Sequence, residues 1–417
     1  MNKKHTLIVG AGPAAIQTAV AVANTWKGDV SIANRNGSYS EKVHQTLERN
    51  GNTITALARE WPSLSGTVNI SRFYRRLESV EDRFETIILC VPNYSYGEVI
   101  KSLNITNLKR VKTILLLSAG IGSNQLVSEL VNLSSQRIEV ISLSNYFAAT
   151  KFSQGELFSA YTKAVKKRVY LASNIKGSDM TAIRQLLEGA GIDAVVKEKP
   201  INAECRNITT YVHPPFFIND FSLNEILSEK RSLKSLYKLY PEGPITPESI
   251  RTMVWLWKEI STLVEELGGE PINLLQFLND DNYPVHEESI SRSDIDHFPY
   301  FEPAEQEYLL YIRYASILID PFSIPDENGS YFDFSKVPYP QISERESGEW
   351  VLPRIPFEDY QHLKSISRLG MEKGVHMPLT VELIHLFEEK VLEWQLEKGR
   401  GIKGLDLTET GERKVNT

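Results

Sequence analysis

Three sets of residues in this chain of 417 have types and spacings that could do chemistry. The first is Gly10-Ala11-Gly12-Pro13-Ala14-Ala15, which follows an apolar run at 6–9 and leads into an alanine-rich stretch reaching about 24. Glycine, glycine and alanine at these offsets, between a strand and a helix, match the turn that binds the pyrophosphate of a dinucleotide. Gly10 permits the tight turn, Gly12 lets the backbone approach the ligand, and Ala15 lets helix and strand pack closely. Pro13 and Ala14 open the helix, whose first N–H groups and partial positive charge would face the phosphates.

The second set bears on which dinucleotide is bound. A strand at 30–33 ends at Asn34-Arg35, and no acid appears before Glu41. An NAD site carries a carboxylate there for the ribose 2′-hydroxyl, and that carboxylate would repel a 2′-phosphate. Arg35 offers a planar fork suited to phosphate, Ser38 follows closely, and Lys42 adds a point charge. These residues point to NADPH; the competing reading makes Arg35 a plain surface cation. Val91 and Pro92, closing a strand at 86–91, are further candidate cofactor contacts.

The third set lies in the second half. His213 stands in Tyr211-Val212-His213-Pro214-Pro215-Phe216-Phe217. An imidazole near neutrality can take a proton and return it, but a lone histidine among aromatics is also a common core residue. Arg313, within Tyr308-Leu309-Leu310-Tyr311-Ile312-Arg313-Tyr314, must find a carboxylate in so apolar a helix, from the protein or from a substrate. Arg206, Tyr211 and Tyr240 are weaker substrate-contact candidates, Arg206 for its closeness to His213. His286 and His297 flank several acids, yet their spacing fits no ligand pattern, so no metal site is expected.

The elements that must position these groups follow from periodicity. Apolar strands at 86–91, 113–118, 139–143 and 168–172 alternate with helical segments, which implies a parallel sheet covered on both faces. A helix at about 179–190 and a strand at 194–197 close this half near Pro200. The texture then changes to long helices, aromatics and proline-rich loops. Thr246 caps a helix at about 247–267, a second spans about 304–319, and a third carries Ile384, Phe387, Val391 and Trp394 on one face. Asp326-Glu327-Asn328-Gly329 reads as a hairpin turn. The expected fold is α/β, with a Rossmann-type NADPH-binding domain at 1–200 and a mainly helical second domain at 201–417.

Composition narrows the classes. With 46 Lys and Arg against 53 Asp and Glu, the net charge of −7 argues against a sequence-blind nucleic-acid binder. A 41% hydrophobic fraction is that of a globular protein. Cys90 and Cys205 have no neighbouring cysteine, which excludes a disulfide scaffold and fits the reducing cytoplasm. Lys3, Lys4 and His5 before an apolar run imitate a secretory signal, but Gly10, Gly12, Pro13 and Gln17 interrupt it. No membrane span is expected either.

The string Tyr211 to Ser222, the heptapeptide Tyr240-Pro241-Glu242-Gly243-Pro244-Ile245-Thr246, Asn273-Leu274-Leu275-Gln276-Phe277 and the run from Glu307 to Phe322 resemble the opine metallophore dehydrogenases. These are the enzymes of the staphylopine, pseudopaline, yersinopine and bacillopaline type. The resemblance implies that a histidine-derived amine with an aminobutyrate arm is joined to a 2-oxo acid, and that the imine is reduced by NADPH. It implies that Arg35 and Lys42 hold the 2′-phosphate, that His213 is the active-site histidine, and that the helical domain builds a homodimer. Ala149 matches a position that is Asp in relatives using pyruvate and small and neutral in those using 2-oxoglutarate. An Asp there would fill the pocket and repel the second carboxylate of 2-oxoglutarate, so Ala149 favours the larger acid. The alternatives are an amino-acid opine dehydrogenase, a simple 2-oxo acid reductase, or a non-enzymatic NADPH sensor. No acidic partner for His213 is evident.

Overall fold

The computed structural model describes residues 5–132, 137–153, 156–178, 180–318, 335–345, 348–405 and 407. The chain divides into two compact units, Met1–Asn207 and Ile208–Thr417.

The strands of the first unit are β1 (His5–Val9), β2 (Asp29–Ala33), β3 (Thr53–Leu57), β4 (Gly66–Asn69), β5 (Phe73–Tyr74) and β6 (Thr86–Leu89). They continue with β7 (Thr113–Leu116), β8 (Glu139–Leu143), β9 (Ala148–Phe152), β10 (Ser159–Val165), β11 (Arg168–Ser173) and β12 (Asp193–Val196). Its helices are α1 (Pro13–Trp26), α2 (Ser38–Arg49), α3 (Tyr96–Ser102), α4 (Ser123–Val131), α5 (Thr181–Glu188) and α6 (Pro200–Glu204).

Eight strands form one sheet in the order β12-β11-β8-β7-β6-β1-β2-β5. The run from β5 to β8 is parallel, as a Rossmann-type sheet requires. The sheet is not parallel throughout, because β11 pairs antiparallel with β8. The reason is the connection. A parallel neighbour needs a crossover, but between β8 and β11 the chain makes only the β9–β10 hairpin and comes straight back.

That hairpin belongs to a second sheet, β4-β3-β10-β9, which the apolar pattern does not announce. Its strands are exposed on one side and rich in Thr and Lys, so they lack a continuous apolar run. The helix α1 packs against strands of both sheets, and every residue from Ala15 to Val22 is buried. An all-round apolar helix is the sequence consequence of cover on both sides. Its one interior amide, Gln17, donates to the Leu64 carbonyl and accepts from the Thr162 hydroxyl, each at 2.6 Å. Burial therefore leaves neither end of that amide without a partner.

The second unit is mainly helical: α7 (Thr209–Phe217), α8 (Asp220–Ile226), α9 (Pro247–Glu266), α10 (Leu274–Asp280), α11 (Arg292–His297), α12 (Pro303–Leu318), α13 (Arg354–Lys373) and α14 (Pro378–Lys398). At the start of α9, Thr246 and Ser249 cap one another reciprocally, and Ile250, Met253, Trp257, Ile260 and Val264 are buried. This helix packs against α7, α12, α13 and α14, and so forms the centre of the unit.

The division between units falls after Asn207 rather than at Pro200, because α6 packs on β8 and β11. The Glu204 carboxylate pins it there, accepting from the backbone N–H of Gly122 and Asn124 and from the Ser142 hydroxyl at 3.0, 2.7 and 2.9 Å. The turn expected at Asp326-Glu327-Asn328-Gly329 lies outside the described residues.

Candidate active site

The glycine turn sits where β1 ends. Gly10 has φ +117°, and a Cβ placed on it would lie 2.6 Å from the Cys90 carbonyl oxygen, so a side chain there would force the backbone apart. Gly12, by contrast, faces open space: a Cβ there meets nothing within 4 Å. It precedes Pro13 as the cap of α1, with no side chain on the first N–H groups and no acid in the first turn. Ala14 is half-buried, and Ala15 is fully buried against the sheet. The helix thus presents unneutralised N–H groups and open room beside Gly12, a fit to a pyrophosphate. Val91 is half-buried and Pro92 exposed, directly after β6, with Val91 touching the Gly10 position.

Arg35, Ser38 and Lys42 are all exposed, at the end of β2 and along the first turns of α2. The edge strand β5 adds a residue that the sequence reading missed. It pairs with β2 in the register Ile32–Phe73 and Ala33–Tyr74, so that Arg75 and Arg76 follow the end of one strand and Arg35 follows the end of its neighbour. Among the described residues the side chains of Arg35, Lys42 and Arg76 have no hydrogen-bond or ion-pair partner, whereas Arg75 is held by Glu41 at 2.9 Å. A cavity of about 510 Å³ has Arg76 in its wall together with Asn36, Glu41, Glu48, Arg72 and Arg75, while Arg35 and Lys42 do not line it. Unpaired cations after β2, after β5 and on α2 suit a phosphate. The signal available was the Arg75-Arg76 pair, hidden because a two-residue strand has no readable periodicity. Tyr39 was missed too; its hydroxyl donates to the Ala11 carbonyl at 2.9 Å and ties α2 to the glycine turn.

In the second unit His213 lies on α7, whose interior contains Pro214 and Pro215. Its Nδ1 is 3.0 Å from Oδ1 of Asp359 on α13, and the two side chains are only 13% and 9% exposed. The ring of Phe217 meets the imidazole edge to face, with centroids 5.0 Å apart. With Nδ1–H donated to the carboxylate, Nε2 carries the lone pair. Next to the pair, Thr210 shares a 3.2 Å hydrogen bond with His362, whose pKa burial pushes down to about 4, so that it stays neutral. A carboxylate-oriented imidazole can accept a proton and stabilise the resulting cation.

The remaining candidates separate. Arg206 belongs to the first unit, not the second; its guanidinium lies 5.3 Å from the Tyr170 ring and donates to the Asn202 carbonyl. Arg313 is 2% exposed, but among the described residues no carboxylate pairs with it. Backbone carbonyls of Leu278 and Tyr283 take its Nη2 protons at 2.7 and 3.0 Å, and the Tyr314 ring faces it at 5.0 Å. Peptide dipoles thus stand where a protein carboxylate was one expectation, Nε has no partner among the described residues, and burial lowers the Arg313 pKa. Tyr211 is buried in the core of its unit, and Tyr240 is 64% exposed beside the Phe221 ring. Ala149 is exposed on β9. Among the described residues no group of three His, Cys, Asp or Glu could hold a metal, and no helix is long and apolar enough to cross a membrane.

A parallel-sheet unit with a dinucleotide turn, joined to a helical unit with a carboxylate-oriented histidine, defines a nicotinamide-dependent oxidoreductase. A family profile described as staphylopine dehydrogenase matches residues 4–402, and the chain belongs to that family, the opine metallophore dehydrogenases, which act on CH–NH bonds. It is 42% identical to a pseudopaline synthase of Pseudomonas aeruginosa over 93% of this chain and 90% of that one. It is 36% identical to a staphylopine synthase of Staphylococcus aureus, covering 92% and 89%. A solved structure, yersinopine dehydrogenase with NADP+ bound, is similar with a TM-score of 0.88 at 34% identity, covering 95% of this chain and 93% of that one.

Proposed function

We propose that this protein condenses a histidine-derived amine carrying an aminobutyrate arm with a 2-oxo acid, 2-oxoglutarate in preference to pyruvate, and reduces the product with NADPH. The carrying observation is the buried His213–Asp359 pair at 3.0 Å in a chain of this family. The amine arrives protonated and must lose a proton before its nitrogen can attack the carbonyl carbon. Nε2 of His213 takes that proton, and Asp359 stabilises the imidazolium across Nδ1–H. On attack the nitrogen passes a second proton to the carbonyl oxygen, and the imidazolium proton then leaves with that hydroxyl as water, giving the protonated C=N bond. When bound, NADPH supplies the hydride that reduces it.

NADPH over NADH is supported by Arg35 after β2, Arg76 after β5 and Lys42 on α2, whose side chains are unpaired among the described residues. The exposure of Ala149 supports a role at ligand rather than in packing, and its small side chain suits the longer 2-oxoglutarate. A cytoplasmic homodimer is part of the same reading, with free Cys90 and Cys205 favouring that compartment. The test is NADPH oxidation by the purified protein over a matrix of amines and 2-oxo acids. Turnover only when both partners are present supports the reading; equal turnover with the 2-oxo acid alone overturns it.

A further inference from the structure

The His213–Asp359 bond is accompanied by a second contact between α7 and α13. One turn before His213 on α7, Thr210 meets His362, one turn after Asp359 on α13, with Oγ1 3.2 Å from Nε2. Residues three apart share a helix face, so the two bonds are successive rungs between antiparallel helices. Thr210 is 1% exposed, which seals its hydroxyl into that face. The backbone of α7 is weak at this turn. Pro214 and Pro215 lie inside the helix and have no N–H to give the carbonyls of Thr210 and Tyr211, four residues back. Beyond the prolines Asn219 braces the chain, its Nδ2 donating to the Pro215 and Phe216 carbonyls at 2.9 and 3.1 Å. The weakened turn is the one that carries both Thr210 and His213, and these side chains reach across to α13.

A single hydrogen bond would leave α7 free to roll about the His213–Asp359 contact, whereas a second one turn away fixes the roll. We infer that Thr210 and His362 form a positioning pair, which sets the rotation of α7 on α13 and with it the direction in which Nε2 of His213 points. This rests on the proton-transfer role proposed above for His213 and adds what aims it. The uncharged state of His362 belongs to the same arrangement. A charged imidazole one turn from Asp359 on its own helix would compete with His213 for the carboxylate. Burial, which holds the His362 pKa at about 4, removes that competitor at neutral pH. Thr210 and His362 therefore act on the reaction through His213 and take no proton from substrate themselves.

The test compares full-length wild type with Thr210→Val, which keeps the shape and removes the hydroxyl, over varied histidine–aminobutyrate amine, 2-oxoglutarate and NADPH. A misaimed base slows proton transfer without changing what binds, so kcat should fall about ten-fold or more while each KM stays within about two-fold. Thr210→Ser restores the hydroxyl and should recover most of that loss. In a His213→Ala background Thr210→Val should lower kcat by less than about two-fold, because the residue it positions is gone. An unchanged kcat in Thr210→Val overturns the inference, and so does the same fold loss with and without His213, which is the mark of a purely structural role. Should Thr210→Val fail to fold by circular dichroism, His362→Leu carries the same comparison, with His362→Gln keeping an acceptor for the Thr210 hydroxyl. A wild type that does not oxidise NADPH with this substrate pair, or a His213→Ala variant of wild-type rate, overturns the parent reading and the inference together. An active wild type that needs His213 but not Thr210 overturns the inference alone.

Discussion

His213 and Asp359 are 146 residues apart in sequence, yet Nδ1 and Oδ1 approach to 3.0 Å between two nearly sealed side chains. The carboxylate fixes which ring nitrogen carries hydrogen. Asp359→Asn keeps the shape but loses the charge that stabilises the imidazolium, and its amide can offer a donor where an acceptor is needed. Turnover should fall by about 10²–10⁴-fold while NADPH binding, followed by fluorescence titration, is unchanged. A variant of near wild-type kcat would remove Asp359 from the proton path.

The cationic end of β2 and β5 makes a graded prediction. Arg35→Asp should weaken NADPH far more than NADH, because a carboxylate would then face the 2′-phosphate. Arg76→Ala should shift the ratio of the two dissociation constants the same way by about ten-fold, the loss of one charge-assisted contact. Equal weakening of both cofactors in either variant would contradict that residue's assignment.

Much of the first unit was legible because burial on both faces writes itself as unbroken apolar runs, in β1, β6, β7 and β8. The glycine turn was legible because Gly10 has no substitute at that φ and that approach to Cys90. The β3, β4, β9 and β10 sheet was not, since its exposed faces break the run. Helix α9 announced itself through its cap and stripe, whereas α13 opens with Pro353 and Pro356 among polar residues, which obscures its start. Asp359 was hidden for that reason: its partner is set by tertiary packing of α7 on α13 and by nothing local. Arg313 is legible as a buried cation, but among the described residues two backbone carbonyls rather than a protein carboxylate take its Nη2 protons and its Nε has no partner, a pairing that nothing local in the sequence announces.

Two buried groups give the units opposite responses to pH. His362 has a folded pKa near 4 against an ordinary 6.5, so the unfolded chain binds the proton first. Its contribution to the second unit is complete above pH 6.5 and is lost as pH falls toward 4. Burial raises Glu204 to about 7 from 4.5, so its contribution to the first unit is complete below 4.5 and is lost as pH rises through 7. Hydrogen exchange across this range should show the second unit loosening on acidification, and Glu204→Gln should flatten the opposite trend in the first. Parallel responses of both units in the wild type would contradict these assignments.

Ala149 sits exposed on β9, so an acid there costs the fold little. Ala149→Asp should lower kcat/KM for 2-oxoglutarate through repulsion of its distal carboxylate, and leave pyruvate nearly unaffected. The pocket argument fails if the wild type prefers pyruvate, or if the variant still prefers 2-oxoglutarate undiminished.

The central claim is that hydride goes to a carbon–nitrogen bond made by the same protein. Wild-type protein given NADPH deuterated at the transferable position, the histidine–aminobutyrate amine and 2-oxoglutarate should yield one condensed product whose mass shows a single deuterium. Fragmentation should place that deuterium on the former carbonyl carbon, now bonded to nitrogen. Deuterium appearing instead in free 2-hydroxyglutarate, with no condensed product, would contradict the account and make the protein a simple 2-oxo acid reductase.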